Sequence, residues 1–148
     1  WFAHDEDKDV LYVYREYFKT EKTTLENGRM IKALGARDPA HRWIVADPES
    51  RDGRLLLSRE LGLHTKKAPK QIGVTETINL VKERLKLDAE GHPALVIFNN
   101  CKELLKEFRK YKWKKTAGKD QPHKMYDHGL DALRYQIAFL HRFRRHRS

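Results

Sequence analysis

PALVIFNNCKELLKEFRKY, residues 93–111, decides how the chain is read. Its first part, PALVIFNN, is a short apolar run ending in Asn99 and Asn100, the pattern of a buried strand. Its second part, from Cys101 to Tyr111, reads as a helix. A strand that passes at once into a helix points to an α/β protein, and the surrounding sequence repeats the alternation.

Upstream, VTETINLVKERLKL holds Val74, Ile78, Val81 and Leu85 in helical register, with Thr75 as a candidate cap. Before it, LHTKKAPK is a strand or a loop carrying Lys66, Lys67 and Lys70. RWIVADP is an apolar run closed by an Asp-Pro step, expected as a buried strand whose last residue is Asp47. A helix from about Glu49 to Leu61 follows, stopped by Gly62. TTLENGRMIKALG offers Thr24 as a cap, an apolar Leu25, Met30, Ile31 and Leu34 group, and Gly35 as a stop. VLYVYREYF, Val10 to Phe18, follows the acidic turn DEDKD and is expected to pair with the opening residues as a hairpin. Downstream, KWKKTAGKDQPHK reads as a flexible basic loop and the remainder as a long terminal helix. A hairpin followed by alternating strands and helices implies a mixed sheet with helices on its faces, in one domain.

The terminal helix opens with YDHGLDALRY, residues 126–135. Leu130, Leu133, Ile137 and Leu140 recur on one face, widened by Ala132, Ala138, Phe139 and Phe143, so that face is expected in the core. Asp127 and Asp131 stand one turn apart, with His128 nearly on the same line. Asp127 alone would be explained as a helix cap. The second acid and the histidine, which a cap does not require, would be explained by a divalent cation that turns the repulsion of two carboxylates into coordination, a reading weighed against a capped, solvated helix start. Asp47, held at the lip of a sheet, is a third acid suited to such a site, although Asp-Pro also begins turns.

The chain has 148 residues, 39% of them hydrophobic, enough for one packed core. Its 31 Lys and Arg against 21 Asp and Glu leave a formal charge of +10, which suits a polyanionic partner, nucleic acid before an acidic membrane surface. No apolar run approaches a transmembrane helix, so no membrane partner is expected and the protein should be soluble. The single Cys101 excludes an internal disulfide and any multi-cysteine zinc site, and fits a reducing cytoplasm. None of the eight histidines forms the helical pair around a glutamate that zinc proteases use, and no Gly-rich loop ends in Gly-Lys-Ser or Gly-Lys-Thr. Lys66, Lys67, Lys70, Lys110, Lys112, Lys114, Lys115 and Lys119, with Tyr111 and Trp113 interleaved, are candidate phosphate contacts, each weighed against a merely solvated face.

VADPES, ALVIFNNCKELLKEFRKYKW and YDHGLDALRY, in this order and at these separations, resemble the nuclease domain of the large terminase subunit of tailed bacteriophages, over most of the chain. The last motif is the most specific of the three. The resemblance implies an RNase H-like fold and cutting of concatemeric double-stranded viral DNA with Mg²⁺ or Mn²⁺, two ions in all. It implies Asp47 as the acid ending a central strand and Asp131, with Asp127 and His128, as the acids of the terminal helix. It further implies a portal protein and a small terminase subunit as partners, and the cytoplasm of an infected bacterial host as the location. The family places another aspartate on an upstream strand; a chain opening WFAHDEDKDV is therefore expected to be a fragment without that strand and without the ATPase domain. Glu16 is a possible substitute for the missing acid. Two other readings stay open: a catalytically incomplete DNA-binding module, and an RNase H-like resolvase acting on branched DNA. The basic ending HRFRRHRS would also suit docking to an acidic protein.

Overall fold

The computed structural model describes residues 1–110, 113–114, 121–122 and 127–145. The chain is α/β and divides into two compact units, Trp1–Glu16 with Ile78–Arg134 and Tyr17–Thr77 with Tyr135–Ser148.

In the first unit, strands β1 (Phe2–Asp5) and β2 (Val10–Val13) form the expected antiparallel hairpin, Phe2 opposite Val13 and Asp5 opposite Val10. The turn closes because the Asp5 carboxylate accepts the amides of Asp7 and Lys8, both at 3.1 Å, and because Asp9 takes a left-handed backbone, φ 53°. Strand β2 stops at Val13, five residues before the expected Phe18. The strand expected in PALVIFNN is Leu95–Ile97, here called β5, and it runs parallel to β2 with Leu11 opposite Leu95. The result is a three-stranded mixed sheet in the order β1-β2-β5. Its central strand buries Leu11 and Val13 completely or nearly so, as period-two alternation requires. Arg84 ties the hairpin turn to the start of β5, donating to the Asp9 carbonyl and carboxylate and to the carbonyl of Ala94 at 3.1–3.3 Å.

Helix α4 (Lys102–Lys110) follows β5. Cys101, fully buried at its head, gives its thiol to the Val13 carbonyl at 3.6 Å and serves packing; burial pushes its pKa up, away from a reactive thiolate. The cap comes from elsewhere: the two carboxylate oxygens of Glu16 accept the amides of Glu103 and Leu104, at 2.8 and 3.0 Å. Glu16 lies beyond β2 rather than on it, and this bond pattern makes it a structural acid rather than a substitute ligand. The basic stretch expected as a loop holds a short antiparallel ladder, β6 (Trp113–Lys114) with β7 (Gln121–Pro122).

In the second unit, α1 (Thr24–Gly35) is capped one residue earlier than expected, by Thr23, in a reciprocal box with Glu26. Strand β3 (Ile44–Ala46), helix α2 (Arg51–Leu61) and strand β4 (Thr65–Lys67) form a parallel β-α-β turn of chain, Ala46 opposite Lys67. Gly62 ends α2 in the left-handed region, φ 64°, and the Leu63 amide closes the turn on the Leu57 carbonyl at 3.1 Å. Gly28 of α1 is buried because a Cβ there would meet the side-chain ends of Leu57 and Leu61 of α2 at 2.5 Å.

One mixed sheet was expected, whereas β3 and β4 pair as a separate two-stranded ladder. A strand has two edges, and those of β2 are filled by β1 and β5. Helix α3 (Val74–Leu85) and helix α5 (His128–Arg145) each contribute residues to both units. The apolar face expected on α5 is buried: Leu133 at 0%, Ile137 at 1%, Leu140 at 3% exposure. Each such side chain contributes roughly 1.5–3 kcal/mol by leaving water. No helix among the described residues is long and apolar enough to cross a membrane.

Replacing Glu16 by alanine leaves two α4 amides without their acceptor and is expected to cost about 1–2 kcal/mol. A urea titration checks this as a lower midpoint at unchanged slope. A wild-type midpoint in Glu16→Ala would show that α4 does not depend on this carboxylate.

Candidate functional site

The start of α5 gathers three of the expected site residues. Asp127 immediately precedes the helix, and its carbonyl accepts the Asp131 amide at 2.8 Å, the first helical bond. His128 opens the helix and is exposed; Asp127 and Asp131 are half-buried. Asp131 forms an ion pair with Arg134, one turn further on.

Sequence reasoning missed the residue that organises this corner. Glu107 of α4 is buried, and its Oε2 accepts the Leu130 amide at 2.9 Å; the Gly129 amide also donates to this carboxylate. Those are the second and third amides of α5, the ones an N-cap side chain normally takes. The capping task first assigned to Asp127 is thus performed by Glu107, and the Asp127 carboxylate is not needed for it. Burial raises the pKa of Glu107; the two amides pull it back, His128 opposes the rise and Asp127 adds to it. The signal in the sequence was an acid three residues after Leu104, on the line of α4 that leads into the core.

Asp47 belongs to the second unit and directly follows β3, as expected. It is exposed, and its Oδ1 accepts the Glu49 amide at 2.8 Å, the Asx bond of an Asp-Pro turn. Arg54 donates to the carbonyls of Asp47 and Pro48 at 2.8 and 3.0 Å and so fixes the turn. Asp47 therefore makes the turn and stays at the strand end with carboxylate capacity to spare, since a carboxylate offers about four lone pairs.

Lys66 and Lys67 stand on β4, opposite Val45 and Ala46, and strand alternation sends them to opposite faces of the ladder. Both are exposed. Lys70 is ion-paired with Glu49 at 2.5 Å, which holds the Glu49 carboxyl below its ordinary range. Such an exposed pair contributes little to stability and yields readily to a phosphate. Lys112, Lys115 and Lys119 lie outside the described residues, and Lys114 lies on β6.

The charge is less evenly spread than its distribution along the sequence suggests. The second unit holds sixteen Lys and Arg against eight Asp and Glu, a net +8 of the chain's +10. In the turn before β5, Asp88, Glu90 and His92 bring ligand atoms within 4.8 Å of one another, all exposed. Asp88 accepts the amides of His92 and Glu90 at 2.7 and 3.0 Å, which lowers its pKa and accounts for the cluster as a turn.

No protein-family model, curated protein or solved structure matches the chain.

Glu107→Gln keeps an amide-accepting oxygen and removes the titration. The Glu107 pKa is raised above its ordinary 4.5, so the stability it gains by holding a proton is complete below that value and is lost as pH rises through the folded value. The melting temperatures of wild type and Glu107→Gln should converge near pH 4 and separate toward pH 8, with the glutamine variant higher. A gap that does not change with pH would contradict this. Glu107→Leu, which leaves both amides without an acceptor, is expected to lose about 1–3 kcal/mol at any pH.

Proposed function

We propose that the chain is a metal-dependent endonuclease domain of the phage terminase type, cutting double-stranded DNA, with Asp127 and Asp131 as the acids that hold the metal at the start of α5 and Asp47 as a further ligand, joined to that pair on the resemblance of VADPES alone. The observation that supports this reading is the pair of acids at the start of α5, whose free amides are capped by another residue, Glu107. Asp47 follows a parallel strand at its carboxyl end, where α/β proteins put their ligands. Asp127 and Asp131 share the first turn of α5, and the buried Glu107 takes over the cap. The donor set is all carboxylate oxygen, which suits Mg²⁺ or Mn²⁺. Bound there, the ions would lower the pKa of a water nucleophile and stabilise charge on the phosphate.

The protein's own groups supply the rest. Lys66, Lys67 and Lys70, in the strongly basic unit, hold phosphates and position the duplex without reading its sequence. His128, exposed beside the acids, is the side chain placed to pass a proton or to orient an acid. The proposal extends to an RNase H-like arrangement, to a portal protein and a small terminase subunit as partners, and to action in an infected bacterial host.

A DNA-binding module without hydrolysis is the second reading. It is favoured by the Asp131–Arg134 ion pair and the Asp47–Glu49 turn bond, which give each acid a partner within the protein.

Plasmid cleavage in Mn²⁺ separates the two. Asp47→Asn and Asp131→Asn should each reduce nicking and linearisation at least about a hundredfold, the scale of a lost catalytic group. Salt-sensitive DNA binding in EDTA should stay within about twofold, since neither acid grips phosphate. Cleavage that persists in both variants would reject the assignment; binding without cleavage in the wild type would select the second reading.

A further inference from the structure

We propose that the second unit carries a stacking site for an unpaired base of single-stranded nucleic acid, formed by the C-terminal half of α5 against the end of β4. Phe139 and Phe143 line a cleft of about 160 Å³ with Pro69, Lys67 and Arg142. That is smaller than the roughly 300–1,000 Å³ of pockets for drug-sized ligands, and suits one planar ring rather than an elaborate cofactor.

The aromatic wall belongs to a packed ring cluster. Trp43, just before β3, packs on Phe139 at 5.3 Å and on Phe143 at 4.9 Å between centroids. Arg42 lies 4.8 Å over the Trp43 ring and 5.7 Å over Phe143. The Phe rings are half-buried, so part of each remains open to a ligand.

The polar lining narrows the ligand's chemistry. The cleft is lined by two cations and no acid. Arg142 donates to Gln71, a neutral partner, at 3.3 Å, and so keeps its charge for an anion. A flat apolar surface beside two cations matches a base with its phosphate. A free nucleotide would use only these two charges. The unit carries a net +8, and Arg144, Arg145 and Arg147 follow Phe143 in sequence, an excess that complements a polymer with several phosphates. A paired base presents no face to such a wall, which makes the target an unpaired strand. The site goes beyond the proposed cleavage reaction and does not require it.

The test uses the full chain in EDTA, where no metal-dependent cleavage interferes, and a fluorescein-labelled thymidine 20-mer followed by anisotropy. The reference is an abasic strand of equal length and charge. The base-bearing strand is expected to bind about tenfold tighter, the scale of a single base stacked on an aromatic ring, and to quench Trp43 fluorescence. Phe139→Ala with Phe143→Ala should erase the preference and leave abasic binding unchanged. Because those rings also pack on Trp43, Arg142→Gln is the second variant: an exposed side chain, expected to weaken both strands severalfold at an unchanged melting temperature. Equal affinity of wild type for the two strands would overturn the proposal in favour of phosphate contact alone. Tighter binding to vesicles of phosphatidylserine and phosphatidylcholine than to the 20-mer, weakened by the same Arg142 change, would overturn it in favour of a membrane surface.

Discussion

The Glu107 carboxylate, buried between α4 and the first turn of α5, is the interaction on which the acid corner depends. A helix begins with amides that have no intrahelical acceptor, and burying them unsatisfied is costly. α4 and α5 solve this in the same way, by a glutamate from another part of the chain. Glu16 reaches from the end of the hairpin to α4, and Glu107 reaches from α4 to α5. The hairpin, α4 and α5 are thereby linked in series by two carboxylates, and loss of the first loosens the element that carries the second. The same arrangement leaves the Asp127 side chain available for other chemistry. Its cost is a buried carboxylate, and that burial is the main reason the Glu107 proton is held more tightly than usual, with Asp127 adding a smaller push.

Charge divides along different lines. Fifteen Lys and Arg nearly balance thirteen Asp and Glu in the first unit, whereas the second has a twofold excess of cations. Long-range attraction of a polyanion is therefore a property of the second unit, while the acids of α5 belong to the nearly neutral one.

Much of the architecture was legible from local pattern. The run in Leu95–Ile97, the helix stop at Gly62 and the apolar stripe of α5 each follow from period and capping chemistry, which depend on neighbours in sequence. The parts that were not legible depend on distant partners. Strand β2 ends at Val13 although Tyr14 to Phe18 have the composition of a strand, because Glu16 is drawn to α4. β3 and β4 pair with each other rather than with β1 or β5, a choice of partner that composition does not encode. Glu107 was visible only as an acid on an apolar line, and Asp127 carried the more obvious cap signature. The aromatic cluster of Trp43, Phe139 and Phe143 joins residues almost a hundred positions apart, so no periodicity in either segment could announce it.

The pairing of Asp131 with Arg134 bears on whether this corner suits a cation. At three residues' spacing on a helix, the pair joins an Asp131 side chain that is a third exposed to an Arg134 side chain that is only 13% exposed. A divalent ion between Asp131 and Asp127 would relieve the repulsion of two like charges and release Arg134, whose own charge would then face phosphate rather than carboxylate. The guanidinium is suited to that exchange, since its planar fork bonds either anion in the same geometry. The ion pair neutralises Asp131, and a cation would have to displace it. Asp131 is the more exposed member of the pair, so its carboxylate, rather than the largely buried guanidinium, is the side on which an ion would approach.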